Sequence, residues 1–185
     1  MTPTTTSNYT TPAMALLWLM ALALPVSFAV GLYMADLPFS PLSLKLFNWH
    51  KWAGVTLLAL AIARLLWRAT HRPPPELPMP AWQARAAHWT HRALYLLFFA
   101  VPLVGWAYSS AAGFPVVWFG VLPLPDFVPV DKSLAEAIKP WHGALAWALA
   151  ALAVLHVAAA LKHHFADRDG LLARMLPTGR RKPTE

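Results

Sequence analysis

From Trp141 to Leu161 the chain runs twenty-one residues without a charged side chain. As a helix rising about 1.5 Å per residue, that stretch is roughly 30 Å long, the thickness of a bilayer's hydrocarbon core. In such a solvent every backbone N–H and C=O must be satisfied internally, so the segment reads as a membrane-spanning helix. It carries two histidines, His142 and His156, fourteen residues apart. At about 100° per residue they fall about 40° short of four full turns, so both imidazoles share nearly one face, about 21 Å apart along the axis. A lone intramembrane histidine commonly bonds across helices; two in register on one helix fit two cofactors stacked through a membrane.

Three more stretches have the same character. The first is Ala13 to Met34, with Pro12 suited to a first helical turn and Pro25 inside. The second runs from Phe47 to Trp67, with Lys51 and Arg64 near its ends expected to snorkel toward head groups among Trp49, Trp52 and Trp67. The third runs from His88 to about Ala111 around Pro102, and the fourth ends near His163. The expected fold is an all-α membrane protein, a four-transmembrane-helix bundle over residues 1–177 as one domain, with a basic tail at 178–185. A chain that is 58% apolar and 12% charged, with a mean hydropathy of +0.46, is unlike a soluble domain. The first apolar run exceeds twenty residues and lacks a basic leader, so it reads as a span and not a cleavable signal. With no cysteine there is neither a disulfide framework nor a thiolate metal site.

The net charge of +7 would suit nucleic acid, but its distribution points to lipid. Arg68, Arg72 and Arg85 crowd the second connection beside Pro73, Pro74 and Pro75, and Arg168, Arg174, Arg180, Arg181 and Lys182 follow the last span. The other connections hold Lys45, Lys132 and Lys139 against Asp36, Asp126, Asp131 and Glu136. The positive-inside bias then places both termini in the cytoplasm, N-in and C-in. The third connection contains GFPVVWFGVLPLP, Gly113 to Pro125, too short and too rich in Gly and Pro to span. It reads as an outer loop capping the bundle, with Trp118 and Phe119 dipping into lipid, or as a greasy loop without a function.

Depth sorts the histidines. His142 opens the fourth span and His50 opens the second, both on the outer side, as two axial ligands of one six-coordinate haem must lie. Neutral imidazoles suit iron, and a bis-histidine site without an open position favours electron transfer. Gly54, one turn inward from His50, would let a porphyrin approach the backbone or serve helix packing. His156 lies deeper toward the cytoplasm, and its partner would be expected around Leu16 to Leu19, where no histidine stands. The inner-side candidates are His88, His91, His163 and His164, each of which also fits a plain interfacial role.

In NWHKWAG around His50, AIARLLWR closing the second span, PPPELPMP, AHWTHRALYLLFFAVPLVGW, KPWHGAL around His142, LHVAAALKHHF from His156 and RMLP near the tail, the chain resembles the bacterial cytochrome b561 family. These are small four-helix di-haem membrane cytochromes that include superoxide:ubiquinone oxidoreductase. The resemblance covers about Tyr9 to Pro177. It implies haem b held between helices, with His50 and His142 on the outer haem and His156 on the inner one. The family's first helix typically reads His-Trp-Leu-Met, and here Leu17-Trp18-Leu19-Met20 stands in its place. The inner haem is then absent, five-coordinate on His156, or rescued by another ligand such as His91.

The resemblance also implies a function: a multi-pass cytochrome of the bacterial inner membrane passing single electrons, from superoxide or a periplasmic redox donor to ubiquinone. Lys45, Lys51, Lys132 and Lys139 would steer an anionic radical to the outer haem. His163 is the candidate proton-handling group at a quinone site. The alternative is a non-catalytic electron-transfer or anchor cytochrome serving a partner dehydrogenase or a periplasmic carrier. A zinc-binding membrane protein fits poorly, because no His/Asp/Glu cluster shows the required spacing and His163 and His164 project apart.

Overall fold

The computed structural model describes residues 8–176, so the basic tail at 178–185, with Arg180, Arg181 and Lys182, lies outside the described residues. Four helices, α1 Thr11–Ala35, α2 Pro41–Thr70, α3 Ala81–Ala111 and α4 Lys132–Lys162, are each long and apolar enough to cross a membrane. A two-stranded hairpin, β1 Val117–Trp118 and β2 Leu122–Pro123, lies between α3 and α4. The helices pack in order around a ring. α3 lies most extensively against α4 and α1 against α2, α2 touches α3, and α1 and α4 meet lightly. α2 and α4 therefore stand across the bundle from one another.

Three helices begin earlier than hydropathy suggests. α2 starts at Pro41 because Ser40 and Ser43 form a reciprocal capping box. α3 starts directly after Pro80. α4 starts at Lys132, where the Asp131 carboxylate accepts hydrogen bonds from the backbone N–H groups of Ser133 and Leu134. A further bond from the Ser133 hydroxyl, the largest influence, holds that carboxyl below the usual carboxylate range. Charged Lys132, Glu136 and Lys139 and the helix-internal Pro140 hide this extension from a hydropathy window. His142 thus lies about three turns into α4, and His50 about two and a half turns into α2, rather than at their openings.

The outward surfaces are those of a protein solvated by lipid. Leu22, Val26, Leu66, Leu96, Val154 and Leu155 are all more than 60% exposed. The buried residues are few and include small ones, Ala61, Ser110 and Ala111, beside larger ones such as Met20, Leu57 and Leu149. The central contact joins Met20 of α1, Leu57 and Ala61 of α2, and Phe98 and Phe99 of α3.

Both ends of the bundle are closed by chain that folds back. At the hairpin end, the indole N–H of Trp52 donates to the Val117 carbonyl at 2.6 Å and that of Trp118 to the Thr56 hydroxyl at 3.2 Å. Trp118 is therefore docked on α2 and not directed into lipid, while Phe119, with φ 52 at the hairpin turn, packs on Trp52 and keeps 57% of its surface exposed. The Lys51 ammonium bonds the Pro115 carbonyl at 3.1 Å. Arg64 bonds the Ala13 carbonyl at 3.2 Å. At the opposite end, α4 continues as a π-helical turn, His163–Asp167, followed by a 3₁₀ turn, Leu172–Met175. That turn returns under α1, where the Trp18 indole donates to the Met175 carbonyl and the Tyr9 N–H to that of Arg174.

Candidate functional site

His50 and His142 face each other across the bundle, with ring centroids 6.0 Å apart and ring planes 84° apart. Two imidazoles bound to one metal at about 2 Å each would place their centroids roughly 6 Å apart. The Nδ1 of His50 lies 3.0 Å from the Ser27 carbonyl of α1, and the Nδ1 of His142 lies 3.1 Å from the Val101 carbonyl of α3. A carbonyl can only accept, so in each ring Nδ1 carries the proton and Nε2 keeps its lone pair. Both side chains are thus presented as neutral ligands, each fixed by its own helix and a neighbouring one.

A glycine makes each of these seats possible. A Cβ on Gly31 would lie 2.9 Å from His50 Cε1, and one on Gly105 would lie 2.8 Å from His142 Cε1. Each stands four residues after the carbonyl that holds the ring, one helical turn along the same face. Gly54 has nothing within 4 Å of its Cβ position and lines the cleft between the two histidines. That cleft is walled by Leu24, Phe28 and Leu149, with Leu57 and Phe98 of the central contact beneath it. A planar apolar macrocycle with an iron fits this donor set and this lining.

The sequence reading did not find Gly31, Gly105, Ser27 or Val101. A signal existed: each of the four long helices contains a single glycine, at 31, 54, 105 and 143, and all four fall in the half nearer the hairpin end.

At the inner level His91 of α3 lies against His156 of α4, with centroids 5.1 Å apart and planes at 71°. These helices are adjacent and closely packed, unlike the diagonal pair above them. Among the described residues no hydrogen bond holds either ring. His88 and His164 are exposed beside Trp89 and Phe165. His163 is half-buried and engaged elsewhere, with Nδ1 2.6 Å from an Asp169 oxygen and 3.2 Å from one of Asp167.

This last arrangement corrects the expectation that no His/Asp/Glu cluster forms. The π-helical turn ends at Asp167, Arg168 follows in the left-handed region, and ligand atoms of His163, Asp167 and Asp169 lie within 4.8 Å of one another. The Lys162 ammonium sits 2.7 Å from Asp167, which makes the group an ion-pair network. At the hairpin end Lys45, Lys132 and Lys139 are exposed, whereas Lys51 is committed to the loop carbonyls.

Comparison with known proteins bears on this geometry. A family model described as prokaryotic cytochrome b561 matches residues 8–178. Cytochrome b561 homolog 2 of Escherichia coli (strain K12) is 37% identical over 174 residues, covering 93% of each chain. The probable superoxide oxidase CybB of Yersinia pestis is 33% identical over 71% of this chain and 74% of its own. Cytochrome b561 homolog 1 of E. coli (strain K12) is 34% identical over 69% of this chain and 73% of its own.

Proposed function

The chain belongs to the prokaryotic cytochrome b561 family of membrane electron-transfer proteins, and from that premise we propose that it accepts single electrons at its outer face and delivers them to ubiquinone at its inner one. The observation that carries this reading is the facing pair His50 and His142, 6.0 Å apart with both Nε2 atoms free to bind. The family implies haem b, which supplies one-electron chemistry when bound. His50 and His142 hold the outer haem in this proposal, and His91 and His156 the inner one. With two imidazoles on the iron no position is left open, so the outer site exchanges electrons without binding a ligand.

The donor we favour is superoxide, in line with the name of the Yersinia pestis relative. Lys45, Lys132 and Lys139 supply positive charge on that side. The hairpin held by Trp52 and Trp118 covers the outer end and limits water there. On the inner side His163, poised on two carboxylates, is the residue assigned to proton handling at the quinone. The test uses the purified protein alone: superoxide should reduce its haem, and ubiquinone should then restore the oxidised spectrum. A spectrum indifferent to both reagents, yet reduced by a partner dehydrogenase, would make it a partner-dependent carrier instead.

The membrane is proposed to be the bacterial inner membrane, with Arg68, Arg72 and Arg85 cytoplasmic. A reporter fused after Glu185 that is active only in the cytoplasm is the expected result. Activity confined to the periplasm would reverse the orientation and with it the assignment of inner and outer sites.

A further inference from the structure

α3 opens with an exposed face on which tryptophan and arginine alternate. Trp82, Arg85, Trp89, Arg92 and Leu96 recur at helical spacing, and at about 100° per residue they fall within roughly 80° of the helix circumference. Trp82, Trp89 and Leu96 are 63%, 64% and 69% exposed, and both arginines are exposed with them. His91 lies about 160° round the helix from Trp89, so this face turns away from His156. The arginines that act electrostatically on the inner histidines are Arg64 and Arg68, not these two. Among the described residues neither Arg85 nor Arg92 has a carboxylate within 4 Å or a hydrogen bond. The Arg92 guanidinium sits 5.2 Å from the Trp89 ring centroid, a cation–π contact that fixes it and leaves its N–H groups unspent.

α3 has 31 residues, which at about 1.5 Å each exceed a hydrocarbon core of roughly 30 Å, so its first turns stand at head-group level. Tryptophans at that level settle at the membrane–water boundary, and arginines there meet lipid phosphate. The spacing says which lipid. Arg85 and Arg92 are seven residues apart, about 10 Å along one face, with Trp89 between them. Both side chains lean toward the helix N-terminus, so the separation persists beyond the backbone and exceeds the reach of one phosphate group. Two guanidiniums so placed call for two phosphates on one molecule, whose acyl chains would run on along Leu96. We infer that Arg85, Trp89 and Arg92 bind the head group of a phospholipid carrying two phosphates, as cardiolipin does, in the leaflet opposite the hairpin.

The test places the haem-loaded protein in phosphatidylcholine vesicles holding cardiolipin and phosphatidylglycerol at equal lipid phosphate, and identifies the lipid retained on extraction by native mass spectrometry. Cardiolipin should be retained over phosphatidylglycerol, and inorganic pyrophosphate at millimolar concentration should not displace it. Arg85→Gln and Arg92→Gln should each cut that preference about fivefold, while Arg85→Lys should keep most of it. The haem content of both glutamine variants, measured on the same samples, should be unchanged. Equal retention of the two lipids by the unaltered protein would overturn the two-phosphate ligand. A cardiolipin preference untouched by either glutamine variant would overturn this face as its site. Displacement by pyrophosphate would overturn a lipid as the occupant, and loss of haem in the glutamine variants would return the arginines to the cofactor site.

Discussion

His142→Ala is expected to strip the protein of one low-spin haem while the chain remains inserted and helical. Without that imidazole the iron would keep a single protein ligand, His50, and lose the six-coordinate state. Gly105→Ala should approach the same result without touching a ligand. Its new Cβ would stand 2.8 Å from His142 Cε1, so the ring must move. Moving it breaks the bond from Nδ1 to the Val101 carbonyl and turns Nε2 away from its partner. Orienting contacts of this kind are worth roughly 10- to 100-fold in metal affinity, which sets the expected loss. Gly31→Ala should act likewise on His50, from 2.9 Å. Gly143→Ala, whose Cβ would meet nothing within 4 Å, is the control. A visible spectrum unchanged by His142→Ala, or damaged equally by Gly105→Ala and Gly143→Ala, would sink this assignment.

The second large effect concerns the inner pair. His91→Ala is expected to abolish a second low-spin signal, or leave a high-spin, five-coordinate iron on His156. Leu17 offers no lone pair, so His91, whose ring lies 5.1 Å from that of His156, is the imidazole at hand. The gap is about 1 Å shorter than two imidazoles on one iron require, so the rings must part a little on binding. Neither is held by a hydrogen bond among the described residues, which leaves them free to do so. Leu17→His supplies a competing ligand from α1. In the His91→Ala background it should restore a six-coordinate spectrum. Pyridine haemochrome content per chain and the low-spin band together read the outcome. Two low-spin haems that survive His91→Ala would show that a different residue completes the inner site.

The fold was legible because four apolar runs of membrane-spanning length admit little but a helix bundle. The helix starts were less so. Hydropathy measures burial in lipid, and the first turns of α2 and α4 stand outside it, set by Ser40 and Asp131 through hydrogen bonds. Matching depth was enough to suggest His50 with His142, since each helix sets height by residue count. Azimuth is different: which face of α1 or α3 meets which ring depends on tertiary packing, so Gly31 and Gly105 passed unnoticed. Lys51 and Trp118 were assigned to lipid for the same reason, because a sequence does not show that a hairpin will fold back over α2. The trio of His163, Asp167 and Asp169 escaped because helical spacing brings only Asp167 to His163, while Asp169 lies past the helix end and is turned back after Arg168, whose φ is 53.

The two outer rings lean on main-chain carbonyls, and this has a consequence for how the chain can vary. Every residue type carries a carbonyl, so Val101 can be exchanged for other side chains that fit without unseating His142, and at Ser27 exchange gives up only the weaker hydroxyl contact, 3.5 Å from His50 Nδ1, while the carbonyl at 3.0 Å stays. The glycines one turn on have no such freedom. The substitutions that matter for these ligands are therefore expected at 31 and 105, not at the positions whose oxygens make the bonds. A scan of single variants scored by haem retention would show two tolerant positions, each followed four residues later by an intolerant one. The shorter orienting hydrogen bond at each ring is made by main chain and lies beyond the reach of side-chain replacement, so a drifting sequence retains the proton on Nδ1 of these ligands.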